Sequence, residues 1–192
     1  MGSVYGGIPK YIARDLKLKY GMELFIETGT MHGHTSAWAA RHFKKVITID
    51  IYANYIMGAK SEICAPFNNI EFHNGFSSVV LEEEVLPKVN EQAMFWLDAH
   101  WGGDLHYPAP AVECPLLNEL RVIKKMENGF RHVILIDDAR FFLNPPPPPM
   151  IAETWPTYDE IAEILEPAMI LEVKDDIIIC EPNITKVVIF KT

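Results

Sequence analysis

The stretch Leu24–Trp38, LFIETGTMHGHTSAW, decides how the rest of the chain is read. An apolar run, Leu24-Phe25-Ile26, ends in an acid, Glu27. Gly29 and Gly33 follow, and Thr35-Ser36 opens a segment of helical character. A buried strand leading through glycines into a helix is the first unit of a nucleotide-binding βαβ fold. Gly29 is read as the residue of the tight turn. Gly33 is read as the point where the backbone approaches a ligand or packs closely at the helix start. The dinucleotide fingerprint G-x-G-x-x-G has one glycine more than this stretch.

Asp50 settles the class of ligand expected. It lies 23 residues beyond Glu27, at the end of the next apolar run, where an acid accepts hydrogen bonds from ribose hydroxyls. Together the two features point to an adenosine-containing ligand. A pyrophosphate needs bare amides at a helix start and no acid beside them. Glu27 therefore argues against NAD and suits a cationic group, such as the ammonium of S-adenosylmethionine.

Outward from this stretch, short apolar runs alternate with amphipathic segments. Strands are expected at residues 23–26, 45–50, 70–73, 93–98 and 132–137. Helices are expected at 9–20, 35–43, 55–64, 79–89 and 115–126, and from the capping box of Thr157 and Glu160 to about Leu165. This alternation implies an α/β fold: a Rossmann-like, doubly wound, mostly parallel seven-stranded sheet with helices on both faces. Two β-rich runs close the chain, 169–174 with 177–180, and 186–191, with Pro182-Asn183 as a turn signal between them. They leave no room for a helix and are expected to form an antiparallel hairpin at one sheet edge. Residues 1–192 read as one domain, with 1–22 as an N-terminal helix and cap and 141–156 as a proline-rich loop. Pro145–Pro149 is extended polyproline backbone, either a stiff spacer or a rigid wall beside a site.

Bulk properties narrow the function. The net charge of -9 argues against binding nucleic acid or anionic membrane surfaces through phosphate neutralisation. The basic clusters Lys10/Arg14/Lys17/Lys19 and Lys124/Lys125 fall at helical spacing and are read as solvated helix faces. Cys64, Cys114 and Cys180 lie far apart without a C-x-x-C, which fits a reducing compartment and no structural zinc. No apolar run approaches the roughly 18 residues of a membrane span. The N-terminus has no apolar signal core, and Gly6 stands where a myristoylation pattern needs Ser or Thr. A cytoplasmic location is expected.

Ligands of an open α/β sheet bind beyond the carboxyl ends of the strands. The residues there are Glu27-Thr28-Gly29, Asp50, Asn74-Gly75-Phe76-Ser77, Asp98-Ala99-His100-Trp101 and Asp137-Asp138. Acids close four of five apolar strands on one edge, which marks a site rather than scattered caps.

These residues resemble a known family. Glu27-Thr28-Gly29-Thr30-Met31-His32-Gly33-His34-Thr35 is similar to the first motif of class I S-adenosylmethionine-dependent methyltransferases. The likeness is to the E-x-G-x-x-x-G-x-S form of the catechol O-methyltransferase group. Val46–Asp50 resembles the second-strand motif with its ribose-binding acid. Gly75-Phe76-Ser77 resembles that group's Gly-Ala-Ser, whose serine touches adenine. Phe95–Trp101 resembles its L-D-H-W, and Ile134–Asp138 its fifth-strand Asp-Asn. The sequence is also similar to macrocin-type sugar O-methyltransferases. The matches run from about residue 24 to residue 140. Two features differ. Only 22 residues precede Glu23, a shorter cap than the group has, and Gly102-Gly103 follow Trp101 where that group has a catalytic lysine.

The resemblance implies an S-adenosylmethionine-dependent O-methyltransferase acting on a hydroxyl of a small molecule or sugar. The expected cofactor contacts are Glu27, Thr28, Gly29, Thr30, Gly33, Thr35, Asp50, Ile51, Gly75, Phe76, Ser77 and Asp98. Asp98, Asp137 and Asp138 supply three carboxylates from strand ends, a donor set for Mg²⁺, Ca²⁺ or Mn²⁺. Such an ion would lower the pKa of the acceptor hydroxyl. Asp98 and His100 are the candidate catalytic residues. His100 is taken as general base, because free imidazole titrates near pH ~6.5. His32 and His34 are read as solvent-facing, and Phe141 and Phe142 as packing residues. Trp101 either stacks on a ring or fills the core edge. The loops 102–113 and 141–155, with His106 and Tyr107, are expected to shape the acceptor pocket. A homodimer could complete the short cap. Other readings are a non-catalytic module, such as a glycan-biosynthesis accessory protein, and an NAD enzyme.

Overall fold

A computed structural model describes residues 7–101, 110, 112–125 and 131–183. Seven strands form one sheet: β1 Leu24–Thr28, β2 Lys45–Asp50, β3 Ile70–Asn74, β4 Ala93–Leu97, β5 Val133–Ile136, β6 Met169–Lys174 and β7 Ile177–Pro182. Their spatial order is β3-β2-β1-β4-β5-β7-β6. The first five pair in parallel, and β7 runs antiparallel to both β5 and β6. β1, β4 and β5 are buried throughout. That explains their unbroken apolar sequences: a parallel strand covered on both faces has no solvent side to mark with polar residues.

Side chains alternate across the sheet and build two cores. Leu24, Ile26, Phe95, Leu97, Ile134 and Ile136 belong to one. They pack with Val80 of α4 (Ser77–Val80) and Leu81 just after it, Leu120 and Ile123 of α5 (Leu116–Lys125), and Ile161 and Leu165 of α7 (Tyr158–Leu165). Phe25, Met94, Trp96, Val133 and Leu135 face the other way. They pack onto Ile12 and Leu16 of α1 (Lys10–Tyr20) and Trp38 of α2 (His34–Ala40). α3 (Ala53–Ser61) flanks β2 and β3, and α6 (Arg140–Leu143) follows β5. No helix among the described residues is long and apolar enough to cross a membrane.

Three elements differ from expectation. The helix anticipated at 79–89 starts two residues earlier, at Ser77, and passes through a π turn, Leu81–Val85, into a 3-10 turn, Leu86–Lys88. Pro87 in that last turn has no N–H to donate, which closes the segment. The hairpin forms between β6 and β7, with Asp175 and Asp176 as the turn at φ 50° and 64°. Pro182, read as a turn residue, ends β7 instead, paired with Met169. The run 186–191 lies outside the described residues. The proline run also bends, since Met150 donates to the Pro147 carbonyl at 3.3 Å.

Topology places the site. The chain leaves β1 for β2 on one side, and β4 flanks β1 on the other, so the sheet has its switch point between β1 and β4. Thr28 pairs with Ile49 and with Leu97, and Leu97 pairs with Ile136. The next residues along these strands, Gly29, Asp50, Asp98 and Asp137, therefore emerge level with one another.

Candidate cofactor and acceptor site

The turn after β1 is built on its two glycines. Gly29 has φ 90°, and a Cβ there would stand 2.2 Å from the Asp98 carbonyl oxygen. Only glycine lets β1 and β4 come together at their ends. Gly33 has φ 78°, and a Cβ would meet the Ala59 Cβ and Cys64 Sγ at 2.8 Å. Its place is thus close packing against α3, one of its two expected roles. Asp50 braces the turn from β2. Its Oδ2 accepts from the Met31 N–H at 2.9 Å and its Oδ1 from the Tyr52 N–H at 2.8 Å.

A cavity of about 160 Å³ opens over these strand ends. Seven of the expected cofactor contacts line it: Gly29, Asp50, Ile51, Gly75, Phe76, Ser77 and Asp98. Met31, Tyr52, Tyr55 and Val112 complete much of its wall. Five others do not line it: Glu27, Thr28, Thr30, Gly33 and Thr35.

Glu27 lies beneath the turn, off the cavity wall. It is 1% exposed, and its Oε2 accepts from Ser36 Oγ and, at 2.8 Å, from Thr48 Oγ1. Thr48 Oγ1 also pairs with Thr30 Oγ1 at 2.6 Å. Strand alternation turns Glu27 to the α2 face with Phe25, beneath the turn. Burial pushes its pKa up to about 7, with Ser36 and Thr48 opposing the rise. Glu27 is the knot of a buried polar thread, and the acids that line the cavity are Asp50 and Asp98.

The other acids gather beside Asp98. His100 Nε2 lies 2.8 Å from Asp138 Oδ2 and 3.6 Å from Asp98 Oδ1. Asp138 has φ 56°, and its Oδ1 is 2.6 Å from the Arg140 guanidinium. Arg140 also pairs with Asp176 through both its guanidinium and its backbone N–H. Burial alone would lower the His100 pKa. The Asp138 hydrogen bond and the charges of Asp98, Asp138 and Asp137 outweigh it and raise the value to about 9. With that value His100 carries a proton at neutral pH and donates it to Asp138. Burial, then the charge of Asp137, raises Asp98 well above the usual carboxylate range. Burial, then Asp138, lifts Asp137 to about 6. Asp138 stays low: burial would raise it, but the hydrogen bonds and charges of His100 and Arg140 together outweigh burial.

A wider cleft of about 590 Å³ lies beyond His100. Phe141, Trp155 and Tyr158 line it with Pro145, Pro146, Glu153 and Asp159. Trp155 joins the two regions, its ring centroid 5.0 Å from that of His100. Glu113 fixes that wall by accepting from the Ile151 N–H at 2.8 Å and from Thr154 Oγ1 and Trp155 Nε1 at 3.3 Å. Pro145 and Pro146 do form a wall, on this cleft rather than on the cofactor cavity. Phe142 is 3% exposed, and Phe141 and Trp101 pack on the same core. His32 and His34 are exposed. His106 and Tyr107 lie outside the described residues.

Sequence reasoning missed Arg140, Asp176, Glu113 and Glu119. Arg140 stands two residues after Asp138, and Asp175-Asp176 is a recognisable turn pair, so those signals were present. Glu119 gave none. It is a helical acid 1% exposed, buried against the side-chain hydroxyls of Ser77 and Thr28, which oppose the upward push of burial on its pKa.

No family model matches the sequence, and no curated protein is similar to it. Solved structures do match. An O-methyltransferase from Bacillus cereus in complex with S-adenosylhomocysteine has a TM-score of 0.60 at 15% identity, over 93% of this chain and 84% of that one. The O-methyltransferase TomG from Streptomyces achromogenes, in complex with S-adenosylmethionine, has a TM-score of 0.55 at 16% identity, over 89% and 78%. A precorrin 8w decarboxylase from Methanobacterium thermoautotrophicum has a TM-score of 0.51 at 15% identity, over 93% and 92%. The chain therefore has the Rossmann-like fold of the class I S-adenosylmethionine-dependent methyltransferases.

Proposed function

We propose that the protein is an S-adenosylmethionine-dependent O-methyltransferase acting on a hydroxyl of a small molecule or sugar. The observation that carries this reading is the cavity at the switch point, lined by the acids Asp50 and Asp98 and by the apolar Ile51, Phe76 and Val112. The wall suits an adenosine whose far end is cationic. Asp50 keeps lone pairs for ribose hydroxyls, the apolar residues suit the base, and Ser77 lies on the same wall. Asp98 faces the positive end.

When bound, the cofactor supplies an electrophilic methyl group: an acceptor oxygen takes it as the carbon–sulfur bond breaks and the electron pair passes to sulfur. The acceptor hydroxyl gives up a proton in the same transfer. Asp98 is the rim acid on the cavity wall, and its raised pKa equips it to hold that proton. Its negative charge is thereby lost together with the positive charge of the sulfonium. The aromatic cleft around Trp155 gives the acceptor a flat apolar face.

Asp50→Ala is the direct test. Hydrogen bonds to a charged acceptor contribute about 1.5–3 kcal/mol, and each 1.4 kcal/mol is about tenfold. The variant should bind S-adenosylhomocysteine roughly 10–100-fold more weakly by calorimetry while melting cooperatively. Unchanged affinity would place the ribose elsewhere.

A further inference from the structure

A divalent ion at Asp98, Asp137 and Asp138 requires their oxygens to converge on one open point. Mg²⁺ and Ca²⁺ hold oxygens at about 2.0–2.6 Å and take six or more of them. Among the described residues, no three His, Cys, Asp or Glu side chains are arranged to do so. The Asp138 carboxylate is engaged on both oxygens, Oδ1 by the Arg140 guanidinium at 2.6 Å and Oδ2 by His100 Nε2 at 2.8 Å. Asp137 Oδ1 is turned to the Asp138 N–H at 2.8 Å.

Arg140 is held there from a second side. Asp176 accepts from its guanidinium and, at 3.0 Å, from its backbone N–H. The Asp176 carbonyl accepts from the Ala139 N–H at 2.8 Å. Its guanidinium lies 4.2 Å from the Phe141 ring centroid, a favourable cation–π distance. These contacts tie the start of α6 to the β6–β7 turn. An arginine keeps its charge at every pH at which the protein folds.

We propose that Arg140 is the resident cation of this site, with His100 donating from the other side of Asp138, and that no divalent metal ion binds there. Arg140 is a positioning residue: it fixes Asp138, and Asp138 fixes His100 against Trp155. The acceptor class changes accordingly. A metal that chelates two adjacent oxygens selects a vicinal pair, whereas a site with Arg140 in that position needs a single hydroxyl. This acceptor statement rests on the methyltransferase reading; the statement about metal does not.

The test is Mn²⁺ binding to the full chain after dialysis against EDTA, followed by the loss of the free-ion signal in electron paramagnetic resonance. The wild type should take up no stoichiometric Mn²⁺ that depends on Asp138. Arg140→Ala, which releases Asp138 Oδ1, should bind Mn²⁺ at least tenfold more tightly than the wild type. One Mn²⁺ per wild-type chain, lost in Asp138→Asn, would overturn the proposal. So would a folded Arg140→Ala protein that gains no affinity. The wild-type and Asp138→Asn titrations decide the matter even if Arg140→Ala does not fold. S-adenosylhomocysteine titrated calorimetrically into the same sample keeps a failed cofactor reading distinct, because the Mn²⁺ signal is read without cofactor.

Discussion

Gly29→Ala should abolish the folded state or destabilise it by about 4 kcal/mol, at the far end of single-residue effects. Two costs combine. At φ 90° an alanine is strained, by roughly 1–2 kcal/mol. Its methyl group would also stand 2.2 Å from the Asp98 carbonyl oxygen and 2.7 Å from the Asp98 carbonyl carbon. Both are backbone atoms of the strand end beside β1, so relief requires the ends of β1 and β4 to separate. Gly21 is the control. It has φ 66° and nothing within 4 Å of a built Cβ, so Gly21→Ala should cost only the strain, about 1 kcal/mol. Urea unfolding of the two variants separates strain from contact. Equal losses would mean that the close approach at Gly29 is not what holds the switch point together.

The second large effect is on pH. Glu27 has a pKa near 7 in the fold against 4.5 for the free side chain. The folded state therefore keeps a proton that the unfolded chain has lost. The stability from this group is fully present below about pH 4.5 and is lost as pH rises through about 7. At about 1.4 kcal/mol per unit, the loss is on the order of 3 kcal/mol. Glu27→Gln keeps an oxygen for Ser36 and Thr48 and carries no charge. Its stability should fall less between pH 5 and pH 8, and above pH 8 it should exceed the wild type. A slope should remain in the variant, because His100, raised to about 9, likewise loses its contribution as pH rises through that value. Urea midpoints at pH 5, 6, 7 and 8 for both proteins provide the check. Parallel curves would show that Glu27 does not titrate in the fold.

Glu27 also shows how far the sequence could be read. The strands were legible because full burial leaves an unmistakable apolar run, and the acids at their ends followed from that. Which face Glu27 takes was legible too, since alternation sets it with Phe25, but its charge suggested a ligand contact. Its burial and its two hydroxyl partners, Ser36 and Thr48, were not legible, because they depend on how α2 and β2 pack. His100 illustrates a different limit. Its ordinary pKa follows from residue type, whereas its raised value depends on Asp98 from its own strand end and on Asp137 and Asp138 from the end of β5. The hairpin between β6 and β7 was not separated in the sequence, where Pro182-Asn183 is the stronger turn signal and Asp175-Asp176 the weaker. In the fold Pro182 ends a strand, where a missing N–H costs little. Arg140 and Asp176 lie 36 residues apart, so neither announces the other in sequence.

The central claim is that the cavity between Gly29, Asp50, Ser77 and Asp98 holds an adenosine with a cationic end. Calorimetric titration of the full chain with S-adenosylhomocysteine and, separately, with NAD tests it most directly. The account predicts one S-adenosylhomocysteine per chain, binding lost or strongly weakened in Asp50→Ala, and no heat with NAD. No heat with S-adenosylhomocysteine, or tighter binding of NAD, would contradict it.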